Sequence, residues 1–273
     1  MIVKDKNVSV RCATAPDKGL VLRNLPSLKH SYKTDVGKVR PHNEDAVQVF
    51  QNDQLTIMVV ADGMGGHTAG DIASKMAITA VAEQFNYDLN FTDKEAVGEW
   101  IDKLFTDVNT EIYAFGKKIN ARQIGTTMVV TIITKDFITF ASIGDSRAYV
   151  LAYDKLRQIT KDHTFVRELV EKGHLSERAA KIHPNKNVIN KALGAAKKLE
   201  YDFLTLENYD VDSVLLCTDG LTNLVEDQEV LAVLKTDIRT EEKVLQLIEK
   251  ANARGGRDNV SIALVEFMKG SVE

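Results

Sequence analysis

At 273 residues, with 44% hydrophobic and 27% charged residues, the chain is long enough for one large domain or two small ones and for a core that needs no disulfide staples. A net charge of −4 argues against a nucleic-acid footprint, and no run approaches the ~18 apolar residues of a membrane span. The two cysteines, Cys12 and Cys217, form no ligand cluster or redox pair by spacing, as suits a reducing cytosol.

Residues 1–30 admit two readings: short strands at 8–10 and 20–22 around a turn at 16–19, or a disordered tail; residues 1–10 hold no apolar stretch of signal-peptide length. Residues 32–36 predict a strand, Gly37-Lys38 a turn, Arg40-Pro41-His42-Asn43-Glu44-Asp45 a polar loop, and 46–50 an alternating strand. The apolar run 55–61 predicts a buried strand that stops at Asp62. Gly63, Gly65 and Gly66 then let the backbone turn tightly and approach something small. Residues 69–85 carry apolar side chains at helical spacing. A second helix is expected to open at Thr92, with Glu95 completing a capping box. Its apolar face is Val97, Trp100, Ile101, Leu104, Phe105, Val108 and Ile112. Strand-like runs at 126–134, 137–143 and 147–153 are joined by short turns, which means antiparallel hairpins. Residues 160–196 are polar, with helical fragments at 165–172 and 176–181, and read as an insertion or lid. Strands at 199–206 and 213–217 follow, then two amphipathic helices, the second capped by Thr240, and a closing strand at 259–267. Few strands are joined by single helices. The expected class is therefore α+β, with antiparallel sheets packed together and helices outside.

One pattern recurs through this order: a carboxylate at the end of an apolar strand. It appears at Asp62-Gly63, Asp219-Gly220, Gly144-Asp145-Ser146 and Arg257-Asp258-Asn259, and Glu44-Asp45 stands just before a strand. A folded sheet can bring several strand ends to one edge, where clustered carboxylates repel unless something positive sits among them. The donors are all oxygen, with no His or Cys cluster, which selects Mg²⁺ or Mn²⁺ over zinc or copper. Arg40 belongs to a loop at the same edge. A guanidinium beside metal ions suits a phosphate, and two metals would lower the pKa of a bridging water for in-line attack at phosphorus. Other phosphate chemistries are missing their parts. Neither cysteine has an arginine six residues on, since Cys217 meets Asn223 and Cys12 meets Lys18, and Gly65-Gly66 is followed by His67-Thr68-Ala69 rather than a Walker Lys-Ser/Thr.

Taken together these residues resemble the PPM family of metal-dependent serine/threonine protein phosphatases, the type 2C group, and its bacterial members in particular. The resemblance spans residues 31–267 and rests on six ordered motifs: Arg40…Asn43-Glu44-Asp45, Ala61-Asp62-Gly63-Met64-Gly65-Gly66-His67, Gly125-Thr126-Thr127, Ile143-Gly144-Asp145-Ser146-Arg147, Cys217-Thr218-Asp219-Gly220-Leu221 and Gly256-Arg257-Asp258-Asn259. It implies a sandwich of two antiparallel sheets flanked by helices, with a dinuclear Mn²⁺/Mg²⁺ centre at one end. Asp62 would bridge both metals, the Gly63 carbonyl would bind one, and Asp219 and Asp258 would complete the other. Asp45 would orient metal-bound water, Asp145 with Asp219 would serve a third, looser metal, and Arg40 would hold the substrate phosphate.

Where animal members of that family carry a histidine two residues after the bridging aspartate, this chain has Met64. Either His67 or metal-bound water then protonates the leaving alkoxide. The other histidines, His30, His42, His163, His174 and His183, read as structural or surface groups. The expected organisation is an N-terminal arm at 1–30, a phosphatase domain at 31–268 with its lid at 160–196, and a tail at 269–273. The expected partners are phosphoserine and phosphothreonine proteins in the cytoplasm, including a serine/threonine kinase and its targets. Two rival readings, a catalytically silent phosphoprotein-binding module and a metal-dependent phosphodiesterase, predict respectively a broken acid set and a basic, aromatic stripe. The acids Asp62, Asp219 and Asp258 and the base Arg40 are all present, and no such stripe is.

Overall fold

The computed structural model describes residues 27–65, 69–121, 123–207 and 210–268. The expected strands at 8–10 and 20–22, Cys12, and His67 lie outside these residues. The first sheet runs β1 (Leu28–Asp35), β11 (Val260–Phe267), β10 (Ser213–Cys217), β7 (Arg147–Ala152), β8 (Lys155–Gln158). The second runs β2 (Asp45–Gln51), β3 (Thr56–Met64), β5 (Met128–Ile133), β6 (Phe137–Ile143), β9 (Asp202–Glu207), with β4 (Gly125–Thr126) paired to the end of β3. The described ladders are all antiparallel.

The strand period of two explains why the run from Leu55 to Ala61 is apolar throughout. Met58 and Val60 face Val214, Leu216, Ala263 and Val265 of the other sheet and form the inner core. Ile57, Val59 and Ala61 face outward onto α1 (Ala69–Gln84) and α2 (Lys94–Lys118). On the far side, Leu215, Cys217, Ile262 and Leu264 pack against α6 (Asp227–Leu234) and α7 (Thr240–Ala253). The result is four layers, helix–sheet–sheet–helix, as the resemblance implies. The lid segment carries two short helices, α3 (Phe165–Glu171) and α4 (Glu177–Lys181), and the short helix α5 (Asp219–Thr222) follows β10.

Several details correct the sequence reading. The strand does not stop at Asp62. It continues to Met64, because Asp62 pairs with Asp45 and the Gly63 N–H donates to the Glu44 carbonyl at 3.0 Å. Asp93, not Thr92, caps α2, accepting the Ala96 N–H at 2.8 Å. Thr240 is the first helical residue of α7 rather than its cap; its hydroxyl donates to Glu266 at 2.6 Å. Strand β8 was not expected. It returns from β7 through Tyr153-Asp154, both at positive φ (50° and 61°), the backbone of a tight two-residue hairpin.

Candidate active site

The registers bring the predicted acids to one end of the sandwich. Asp45 and Asp62 face each other across the β2–β3 ladder. Cys217 lies opposite both Arg147 and Ile262, so the residues just beyond these strand ends, Asp219, Asp145 and Asp258, gather together. Gly63 is required where β3 meets the start of α1: a Cβ there would lie 2.0 Å from the Gly70 carbonyl oxygen and 2.7 Å from that of Glu44. Helix and strand can approach this closely only through bare backbone.

Burial and the neighbouring charges both act on the acids' ionisation. Burial, aided by Asp45, Asp219, Asp145 and Asp258, pushes Asp62 well above the usual carboxylate range. Burial pushes Asp45 up to about 7, with Asp219 and Asp258 adding to it and the Thr218 and Ser261 hydroxyls opposing. Burial and Asp258 push Asp219 up to about 6 against the Asn223 amide and Arg40. Asp145 is likewise raised by burial and by Asp219. Four carboxyls that resist ionisation because they are buried, and secondarily because of one another, form a site suited to positive charge.

Two orphaned atoms indicate the kind of charge. Oδ1 of Asp145 and Oδ1 of Asp219 are buried without a hydrogen-bond partner. A buried, unpaired carboxylate oxygen is costly unless a proton or a cation meets it, and an all-oxygen set fits a hard divalent ion. The set is an open gathering rather than a closed cage. Among the described residues no three His, Cys, Asp or Glu side chains stand close enough to enclose an ion as they are.

Arg40 stands at the rim. Its Nη2 donates to Asp258 Oδ2 at 2.9 Å, and its side chain is 48% exposed. Burial works against its charge, but Asp258, Glu44 and Asp62 hold the guanidinium above its ordinary value. Arg40, Asp45, Asp62, Asp145, Asp219 and Asp258 are thus assembled together.

The supporting residues were not foreseen in these roles. Asn259 fastens the loop that carries Arg40: its Oδ1 accepts the Glu44 N–H at 2.8 Å, and its Nδ2 donates to the carbonyls of Val36 at 2.9 Å and His42 at 3.1 Å. The Thr218 hydroxyl donates to Asp45 Oδ2 at 2.8 Å. The Thr127 hydroxyl accepts the Asp62 N–H at 2.9 Å, and the Thr126 hydroxyl donates to the Asp62 carbonyl at 3.0 Å. His163 is buried and holds the turn before Asp145 from both sides: its Nδ1 accepts the Gly144 N–H, and its own N–H donates to the Gly144 carbonyl. Asn259 and Thr218 lie inside the recognised motifs, and that position is the one signal that could have singled them out.

Comparisons with known proteins identify the family. A family model described as protein phosphatase 2C matches residues 38–269. The chain is 40% identical over 237 residues to the serine/threonine phosphatase stp of Listeria innocua, covering 86% of this chain and 94% of that one. Among solved structures, it is similar to the serine/threonine phosphatase of S. agalactiae, at a TM-score of 0.83 and 34% identity, covering 89% of this chain and all of that one. It also resembles the catalytic domain of the serine threonine protein phosphatase PstP in complex with two manganese ions, at a TM-score of 0.77 and 32% identity over 89% of this chain and 99% of that one.

Proposed function

The chain belongs to the protein phosphatase 2C family and is a metal-dependent serine/threonine phosphoprotein phosphatase, and from that premise we propose how its own residues divide the work. Asp62, the Gly63 carbonyl, Asp219 and Asp258 would together hold two Mn²⁺ or Mg²⁺ ions. Asp145, with Asp219, offers a weaker third position. When bound, such ions supply concentrated positive charge and an activated water for in-line attack on phosphorus, with no covalent enzyme intermediate. Arg40 holds the phosphate oxygens, exchanging its present contact with Asp258 for a bidentate one with substrate. Asp45, held in place by Thr218, accepts a hydrogen bond from the attacking water and orients it. His67 is the candidate donor of a proton to the leaving serine or threonine oxygen.

The observation that carries this reading is the pair of partnerless buried oxygens on Asp145 and Asp219 within a set of mutually raised carboxyls. We further propose that residues 31–268 form the phosphatase domain between an arm (1–30) and a tail (269–273). The lid at 160–196 shapes substrate choice, and a serine/threonine kinase and its targets in the cytoplasm are among the substrates. No helix of the described residues is long and apolar enough to cross a membrane.

The test pairs Asp219→Asn and Asp258→Asn with calorimetric Mn²⁺ titration and turnover of an aryl phosphate. Both variants should bind Mn²⁺ more weakly and lose more than the roughly 100-fold that even outer-shell partners of a metal cost. Full turnover under Mn²⁺ in either variant would overturn the assignment.

A further inference from the structure

A groove of about 660 Å³ begins at Met64, two residues beyond Asp62 on β3. It is lined by the end of β3, Met64 and Gly65, by the C-terminal part of α2, with Tyr113 and Lys117, and by the last part of the lid, residues 187–192, 194 and 195. The lid wall is fixed. Leu193 and Thr126 exchange both backbone hydrogen bonds, at 2.9 and 3.0 Å, and the hydroxyl of the same Thr126 donates to the Asp62 carbonyl. The groove is thus built onto the backbone of the central acid, and its volume is that of a site for a few amino-acid residues.

Its charge is opposite to that of the acid cluster beside it. Among the described residues, the lining contains two lysines, Lys117 and Lys191, and no carboxylate. Lys191 is answered by Glu200 at 3.3 Å. Lys117 sits 4.6 Å from the centre of the Tyr113 ring. Among the described residues no carboxylate lies within ion-pair distance of it, so its charge is free for a ligand.

We propose that the groove receives the stretch of substrate polypeptide next to the phosphorylated serine or threonine, and that Lys117, held over Tyr113, selects aspartate or glutamate in that stretch. The inference rests on the phosphatase reading above and adds a specificity-determining residue to it. Lys117 is exposed on the last turn of α2, touches none of the acids, and can be reversed in charge without disturbing the core.

The test measures kcat/KM on matched phosphothreonine peptides with acidic, neutral or basic flanks, with an aryl phosphate as a flank-free control, for the parent chain, Lys117→Gln and Lys117→Glu. The parent should favour the acidic peptide, and the preference should shrink with added salt. Lys117→Glu should lower the acidic-to-basic ratio by about three- to tenfold, mostly through KM, while aryl phosphate turnover stays unchanged. A parent without acidic preference, or a preference untouched in Lys117→Glu, overturns the proposal. So does a dimer, seen by sedimentation, that Lys117→Glu dissociates, since the groove would then belong to a second copy. A parent that leaves the aryl phosphate intact overturns the phosphatase reading and the groove's role with it, a failure that is separately visible.

Discussion

Arg40 is engaged with Asp258 at 2.9 Å, so one contact serves two needs: it neutralises a carboxylate and keeps a guanidinium aimed at the place where phosphate would arrive. Charge-assisted hydrogen bonds of this kind contribute about 1.5–3 kcal/mol each. Arg40→Ala should therefore reduce kcat/KM on phosphopeptides by about 10–100-fold. Arg40→Lys should recover only part of that, because an ammonium cannot reproduce the planar fork. Steady-state kinetics of the two variants on one peptide decide the matter. The proton donor separates by leaving group. His67→Gln should slow a phosphothreonine peptide by about 10²–10⁴-fold and spare an aryl phosphate, whose phenolate departs unaided. If both substrates slow equally, or neither does, water supplies the proton. At this scale the sequence was legible: each acid could be picked out because it stood at one end of an apolar strand. Asn259 and His163 could not be given their roles, because what they hold lies elsewhere in the chain. The three partners of Asn259 are all more than 200 residues away in the chain.

Among the elements, the loop between β1 and β2 is where sequence and site meet. Its geometry needs Gly37, at a φ of 78°, since a Cβ there would lie 2.3 Å from the Asp258 carbonyl oxygen. It is tied down by Asn259, which is 5% exposed. Asn259→Ala removes three hydrogen bonds worth about 1 kcal/mol each. The expected melting-temperature loss is about 5–10 °C, with a larger fall in activity than stability alone explains, because the loop also carries Arg40. Differential scanning calorimetry and phosphopeptide kinetics on the same samples test both halves. The elements the sequence hid had weak local signals. Strand β8 is Lys155-Leu156-Arg157-Gln158, a polar edge with a single apolar residue, and it exists because β7 supplies a ladder. The cap at Asp93 rather than Thr92 is a choice between adjacent residues with the same capacity, decided by backbone angle. The continuation of β3 through Asp62 depends on β2 opposite, which no local window contains. The long helices and inner strands were legible because they bury faces whose periodicity is written in the chain.

For the whole molecule, the gathered acids make stability depend on pH in an unusual sense. Asp45 and Asp219, pushed up to about 7 and about 6, together with the raised Asp62 and Asp145, keep protons in the folded state that the unfolded chain releases near pH 4. The folded form binds more protons across that window, so these groups contribute stability at low pH that is lost as pH rises from about 4 to about 7. A divalent cation reverses the sign, because it favours the ionised set. Thermal melts of chelated protein at pH 5, 6 and 7.5 should show the acids' contribution declining, and the increment on adding Mn²⁺ should grow over the same series. An increment that is flat with pH would mean that the cation does not bind these carboxyls. The order of the first sheet carries one more consequence. The earliest described strand, β1, pairs along its whole length with the last, β11, and the residues flanking that pair, Arg40 on one side and Asp258 with Asn259 on the other, meet at the site. A ribosome that has not yet released the final strand holds a polypeptide that cannot assemble this constellation. A nascent copy therefore stays silent at least until β11 has emerged.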